Sequence, residues 1–219
     1  MNMGGYIDLL TSLPKTKRDI SKRAEAKDAE VVAIAKHFGY DYFDGDRKYG
    51  YGGYVYDGRW KPVAKDIIDF FKLKDGDSIL DIGCGKGFLL YDLEGFGKFK
   101  AHGLDISEYA LTRTQSRSKA EYRHGTAEKL PYEDKSFDLV ISINTIHNLP
   151  REGVVRALQE IERVCRGNSY IVVDSYHSQE EKELFESWVL TAEFYGYPEE
   201  WLSVFKEAGY TGFYSWNIL

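Results

Sequence analysis

Cysteine is nearly absent: the 219 residues include only Cys84 and Cys165. Two are too few for a disulfide framework, and they lack zinc-ligand spacing, so reduced thiols in the cytoplasm are expected. Long apolar runs are missing too. The longest are strand-sized, well short of the roughly 20 residues that cross a bilayer. The polar, glycine-containing start from Met1 to Leu13 shows no basic stretch followed by an apolar run, as a secretory signal would. No membrane partner is expected. Positive charge is not in excess either, with 29 Lys and Arg against 35 Asp and Glu and a formal net charge of −6. That balance argues against a broad surface for nucleic-acid phosphates. The densest basic stretch, Lys15, Lys17, Arg18, Lys22 and Arg23, is interrupted by Asp19 and followed by Glu25 and Asp28, which reads as a solvated helix start. No pair of histidines has metal-ligand spacing, so no metal is expected.

What is present is a hydrophobic content of 43%, enough for one packed core and too little chain for two ordinary domains. Apolar spacing predicts a helix over Ser21 to Phe38, ended by Gly39, and a second from Pro62 carrying Val63, Ile67, Ile68 and Phe71. Alternation then begins. Strands are expected at Ser78 to Ile82, Ala101 to Ile106, Glu121 to His124, Phe137 to Asn144 and Tyr170 to Ser175. Helices are expected at Gly87 to Glu94, Glu108 to Ser118 capped by Ser107, Arg151 to Cys165, Glu180 to Ala192 and Pro198 to Ala208, before a terminal strand near Phe213 to Ile218. This pattern implies an α/β fold: a Rossmann-like, doubly wound, mostly parallel sheet of six to seven strands with an N-terminal helical and loop extension. We divide the chain into an extension over residues 1–60, covering a substrate cleft, and one compact domain over residues 61–219.

The segment SILDIGCGKGF carries the most chemistry. A buried strand ends at Asp81 and runs into Gly83, Gly85 and Gly87 before a helix. Glycines there let a ligand lie against the backbone at the carboxyl end of the strand. Asp105 closes the next strand about 20 residues on, where an acid accepts hydrogen bonds from ribose hydroxyls. A tight turn without a ligand is the plainer explanation of the glycines, and NAD is the rival ligand. Its fingerprint G-x-G-x-x-G would, however, need glycine at Phe88 instead of Gly87.

Through LDIGCGKG, GLDIS and AEKLPYEDKSFDLVISINTIHNL, in this order, the sequence resembles the class I S-adenosylmethionine-dependent methyltransferases from about Lys61 to Ser175. The resemblance implies S-adenosylmethionine as cofactor. It places Asp81, Gly83, Cys84, Gly85 and Gly87 around its methionine part, Asp105 and Ile106 at ribose and adenine, Thr126, Ala127 and Glu128 beside the adenine, and Asn144 facing the transferred methyl. Two departures stand out. Thr126 stands where many relatives carry aspartate, and the chain ends at Leu219, which leaves little room for the closing antiparallel hairpin of the usual seven-stranded sheet.

An activated methyl group needs mainly alignment of the acceptor and exclusion of water, and a hydroxyl acceptor additionally needs a base. His147, just beyond the fourth strand, is the candidate base; a structural histidine bonded to a loop carbonyl is the alternative. His177 follows the fifth strand and is a weaker candidate. The segment Tyr40 to Trp60 lacks a core-packing period and mixes arginine with tyrosine and glycine. Arg47, Tyr49, Tyr51, Arg59 and Trp60 are therefore candidate substrate residues, suited to an anionic group beside a flat or sugar-like surface. The segment with Trp188, Tyr195 and Trp201 either walls the same cavity or packs as helices. The reading is O-methylation of a small polar or anionic metabolite, or of a sugar- or phosphate-bearing polysaccharide precursor, by a monomer or homodimer. N-methylation, a protein or RNA acceptor, and cofactor binding without transfer are the alternatives.

Overall fold

The computed structural model describes residues 4–14 and 20–218. Lys15, Lys17, Arg18 and Asp19 of the basic stretch lie outside the described residues. In chain order the elements are α1 (Ile20–Ala26), α2 (Ala29–Ala35), α3 (Tyr40–Phe43), α4 (Lys61–Phe71), β1 (Ser78–Ile82), α5 (Phe88–Glu94), β2 (Lys100–Asp105) and α6 (Glu108–Leu111). There follow β3 (Glu121–His124), β4 (Phe137–Ile143), a single 3-10 turn (Ile146–Asn148), α7 (Arg151–Val164), β5 (Cys165–Asp174), α8 (Gln179–Trp188), α9 (Pro198–Ala208) and β6 (Phe213–Asn217). No helix among the described residues is long and apolar enough to cross a membrane.

The six strands form one sheet in the order β3-β2-β1-β4-β5-β6, and every neighbouring pair is parallel. Alternate residues serve opposite faces. Ile79, Leu139, Ile141, Tyr170 and Val172 pack with Val63 and Ile67 of α4 and Leu90 and Leu93 of α5. Leu80, Ile82, Val140, Ile171 and Val173 pack with Leu158 and Ile161 of α7 and Trp201 and Phe205 of α9. Covered on both sides, β1 is buried along its whole length, as a parallel sheet requires. Strand order reverses between β1 and β4, and the crevice at their carboxyl ends is where such sheets bind ligands.

The expected elements are present, with several different limits. The first helix is two: Asp28 turns extended and its side chain accepts from Val31 N, at 2.8 Å, so it caps a new helix. That helix ends at Ala35, and Gly39 precedes α3 in an extended conformation instead of closing a helix. Ser107 does cap α6, but the helix stops after one turn because Thr112 to Ser118 offer no apolar face. β5 begins at Cys165, five residues early, pairing with β4 across a register irregularity. α8 ends at Trp188, short of Ala192.

The terminal strand pairs parallel to β5 with no antiparallel neighbour between them. Its outer edge is met by the start of the chain: Ile7 N donates to Tyr214 O at 2.9 Å, Tyr214 N to Gly5 O at 3.2 Å, and Gly4 N to Thr211 O at 2.7 Å. Leu9 is buried against Tyr170, whose hydroxyl accepts from Leu9 N at 3.1 Å. Residues 4–14 therefore join the sheet edge and core, and the part of the extension that reaches the cleft starts at α1.

Candidate active site

Two adjoining cavities open at the carboxyl ends of the strands. The first, about 210 Å³, is bounded by Asp81, Gly83, Cys84, Gly85, Asp105, Ile106, Thr126, Ala127 and Asn144 among others. Nine of the eleven residues assigned to the cofactor from sequence are thus brought together. Gly87 and Glu128 are not. Gly87 begins α5 in a left-handed conformation with φ 70, and a Cβ there would run into the Tyr122 hydroxyl. Glu128 turns away to an ion pair with Arg156 on α7. Gly83 is likewise packed, against Thr145, whereas a Cβ on Gly85 would lie 3.6 Å from the rings of Phe43 and Tyr54 that bound the cavity.

Two carboxylates give this cavity its character. Asp105 holds the loop: its Oδ2 accepts from Gly85 N at 2.7 Å and its Oδ1 from Ser107 N at 2.7 Å, while burial nonetheless pushes its carboxyl upward. Each oxygen keeps a lone pair for a ligand hydroxyl. Asp81 is pushed up to about 7, by burial first and by the Asp105 charge second. A desolvated acid of this kind is complementary to a ligand that brings a cation. Ile106 is 52% exposed at the rim, an apolar surface for a flat ring. Asn144 completes the cavity: it takes the left-handed conformation, φ 53, and its buried Oδ1 has no hydrogen-bond partner among the described residues. Strain and an unsatisfied oxygen in one residue are the mark of a site that waits for a ligand.

The aromatic segment covers this cavity as well as the neighbouring one. Phe43, Tyr51, Tyr54 and Trp60 line the first cavity. Lys86, next to Gly85 and nearly buried, ties the segment down: its Nζ lies 2.6 and 2.7 Å from the Asp44 carboxylate and donates to Tyr54 O at 2.8 Å. Tyr109 donates to the same carboxylate at 2.7 Å, and Tyr56 to Asp92 at 2.5 Å. Neither Asp44 nor Lys86 was marked by sequence, because a lone Lys and Asp 42 residues apart carry no spacing signal.

The second cavity, about 400 Å³, shares Tyr42, Tyr51, Tyr54, Asn144 and Asn148 with the first. Arg23, Arg47 and Arg59 line it together with His147, Asp174 and Asn217. The substrate candidates divide. Arg47, Arg59 and Tyr51 line this cavity, with Arg47 also donating to Gly50 O, and Arg59 bound through Nε and Nη2 to Asp57. Trp60 lines the first cavity. Tyr49 packs instead against Val31, Ala35 and Leu190, with Lys48 over its ring. In the late segment, Trp188 to Thr191 wall the cavity, Trp201 is core, and Tyr195 packs on Phe185.

His147 lines the second cavity but does not present a free base. Its Nδ1 accepts from Asp174 N at 3.1 Å, which leaves the proton on Nε2, 3.4 Å from Asp174 Oδ2. Burial pulls its proton affinity down, against the Asp174 charge that raises it. His177 is exposed and lies outside both cavities. Asp174, missed in the sequence as one more residue of a buried strand, obeys the rule that picked out Asp105: an acid at the carboxyl end of a parallel strand.

Comparison with known proteins agrees with this geometry. Residues 80–173 match the family described as a methyltransferase domain. The 27-O-demethylrifamycin SV methyltransferase of Amycolatopsis mediterranei is 31% identical over 105 residues, covering 44% of this chain and 39% of that protein. The demethylmenaquinone methyltransferase of Alkalihalophilus pseudofirmus is 32% identical over 122 residues, covering 52% and 51%. A solved structure of a candidate methyltransferase from Bacillus halodurans C-125 shares the fold, with a TM-score of 0.57 at 22% identity over 67% of this chain and 66% of that one. The chain spans about half or less of the length of these curated relatives. Over residues 80–173 the chain is therefore similar to a methyltransferase domain.

Proposed function

We propose that the chain transfers a methyl group from S-adenosylmethionine to a hydroxyl of a small anionic molecule. The observation that carries this reading is the meeting, at Asn144, of two cavities of opposite charge. One is lined by Asp81 and Asp105, the other by three arginines and Asp174. The acidic cavity suits a nucleoside ligand bearing ammonium and sulfonium charges and opposes the pyrophosphate of a dinucleotide. When bound, S-adenosylmethionine supplies an electrophilic methyl group and keeps the electron pair of the cleaved bond on a neutral sulfur.

The protein's own groups do the rest. Asp105 accepts from ribose hydroxyls while it holds the Gly85 loop, Asp81 faces the cationic end, and Asn144 Oδ1 lies at the junction. Phe43, Tyr54 and Trp60 exclude water from one side, so that acceptor and donor meet in a dry, fixed arrangement. Arg47 and Arg59 hold the acceptor's anionic group in the cavity that they line with Tyr51.

Calorimetry against S-adenosylhomocysteine and NAD tests the cofactor, and a mass gain of one methylene in a small-molecule extract tests transfer. Arg47→Ala and Arg59→Ala should raise the Michaelis constant for the methylated compound about tenfold and leave cofactor affinity nearly unchanged. Preference for NAD, or methyl incorporation only into protein or RNA, would refute the reading.

A further inference from the structure

We infer that Asp174, and not His147, takes the proton from the acceptor hydroxyl, with His147 and Asn217 as its positioning residues. The inference rests on the methyl-transfer reading above. Asp174 closes β5 one register step beyond Val173, beside Asn217 at the end of β6, and its carboxylate lines the same cavity as the three arginines. Two donors fix it. Asn217 Nδ2 donates to Oδ1 at 2.6 Å, and the Nε2 of His147 lies 3.4 Å from Oδ2. Its backbone is fixed as well, with N–H given to His147 Nδ1 and its carbonyl accepting from Trp201 Nε1 at 3.0 Å.

This arrangement decides which of the two groups acts. A histidine is a base only through a nitrogen with an open lone pair, and in His147 that nitrogen already accepts the Asp174 N–H. Its other nitrogen carries the proton and stands 3.4 Å from Asp174 Oδ2. Asp174 is thereby presented to the cavity by an imidazole and an amide, with carboxylate lone pairs left over. A hydroxyl seated between Asp174 and Asn144 gives its proton to Asp174 Oδ2 as the oxygen forms its bond to the methyl carbon. The carboxylate becomes a neutral acid and loses the proton to water when the product leaves. In the same cavity, Arg23, Arg47 and Arg59 supply the positive charge for a carboxylate or phosphate on the same molecule. The substrate class is therefore a small hydroxy acid or hydroxylated phosphate ester.

The test uses the full chain, labelled S-adenosylmethionine and a small-molecule extract of the producing cells, divided on an anion exchanger. Label should enter the retained, anionic fraction. Asp174→Asn should slow labelling by at least about a hundredfold, the lower range of general-base contributions, while S-adenosylhomocysteine affinity by calorimetry stays within about twofold. Asp174→Glu should recover a tenth or more of the wild-type rate, and His147→Gln, which keeps a donor beside the carboxylate, should lose no more than about tenfold. The Asp174→Asn variant should still show acceptor-dependent protection of residues 50–59 from hydrogen exchange. If it does not fold, Asp174→Ser replaces it. Labelling in the retained fraction that survives Asp174→Asn, or that falls further with His147→Gln than with Asp174→Asn, overturns the assignment. Label confined to the unretained fraction overturns the substrate class. No label in any fraction, with cofactor binding intact, instead overturns the methyl-transfer reading beneath it.

Discussion

Asp81 should make cofactor affinity depend on pH, and the structure fixes the sign. Its carboxyl is raised from 3.8 to about 7, chiefly by burial, so the free protein binds a proton there that a cationic ligand displaces. For a group titrating near 7, about a tenth is ionised at pH 6 and about nine tenths at pH 8. Affinity should therefore rise roughly ninefold between them, with about half a proton released per ligand at pH 7. Calorimetry in two buffers of different ionisation enthalpy measures that release directly.

Stability runs the other way. A carboxyl raised in the folded state stabilises fully below about pH 4, and that contribution is lost as pH climbs to about 7. At about 1.4 kcal/mol for each pH unit, the loss is on the order of 4 kcal/mol. Asp81→Asn should then bind cofactor weakly and without pH dependence, yet melt several degrees above the wild type at pH 8 and near it at pH 4. Equal affinity of the wild type at pH 6 and 8, with no proton release, would refute the argument.

Two further predictions concern the same region. Asp44→Asn or Lys86→Met, each leaving one partner of the pair over the cofactor loop uncompensated, should cost about 2 to 4 kcal/mol in urea unfolding and speed cofactor release. The double variant should recover part of that cost, and additive losses would deny the coupling. Asn144→Gly should relieve left-handed strain and raise stability by about 1 kcal/mol while lowering turnover; unchanged turnover would remove Asn144 from the site.

The sheet was legible because its strands are bounded by strong punctuation. Asp75-Gly76 before β1, the glycines after it and Gly209 after α9 mark ends that need no tertiary information. Limits were misjudged where tertiary pairing overrides pattern. Arg166, Gly167 and Asn168 are exposed and show no alternation, yet extend β5 because β4 lies alongside. The motif residues line one cavity because one loop and three strand ends carry nearly all of them. Arg23, Asp174 and Asn217 could not be grouped in advance: they come from a helix and two strands far apart in the chain, and only the closed sheet makes them neighbours. Glu128 shows the converse, since adjacency to Thr126 and Ala127 did not decide which way its side chain turned.

The pairing of residues 4–7 with β6 links the two ends of the chain in a way that bears on how the protein folds. The contact between Ile7 and Tyr214 spans nearly the whole sequence, and closing so long a loop is entropically costly and slow to be rewarded. The early segment must therefore wait for the last strand to dock on β5. Until then, a parallel edge bearing Tyr214 and Trp216 stands unpaired. That interval is when the chain is most open to edge-to-edge association with its own copies. Once residues 4–7 lie down, the start of that strand, up to Tyr214, is no longer a template for another chain.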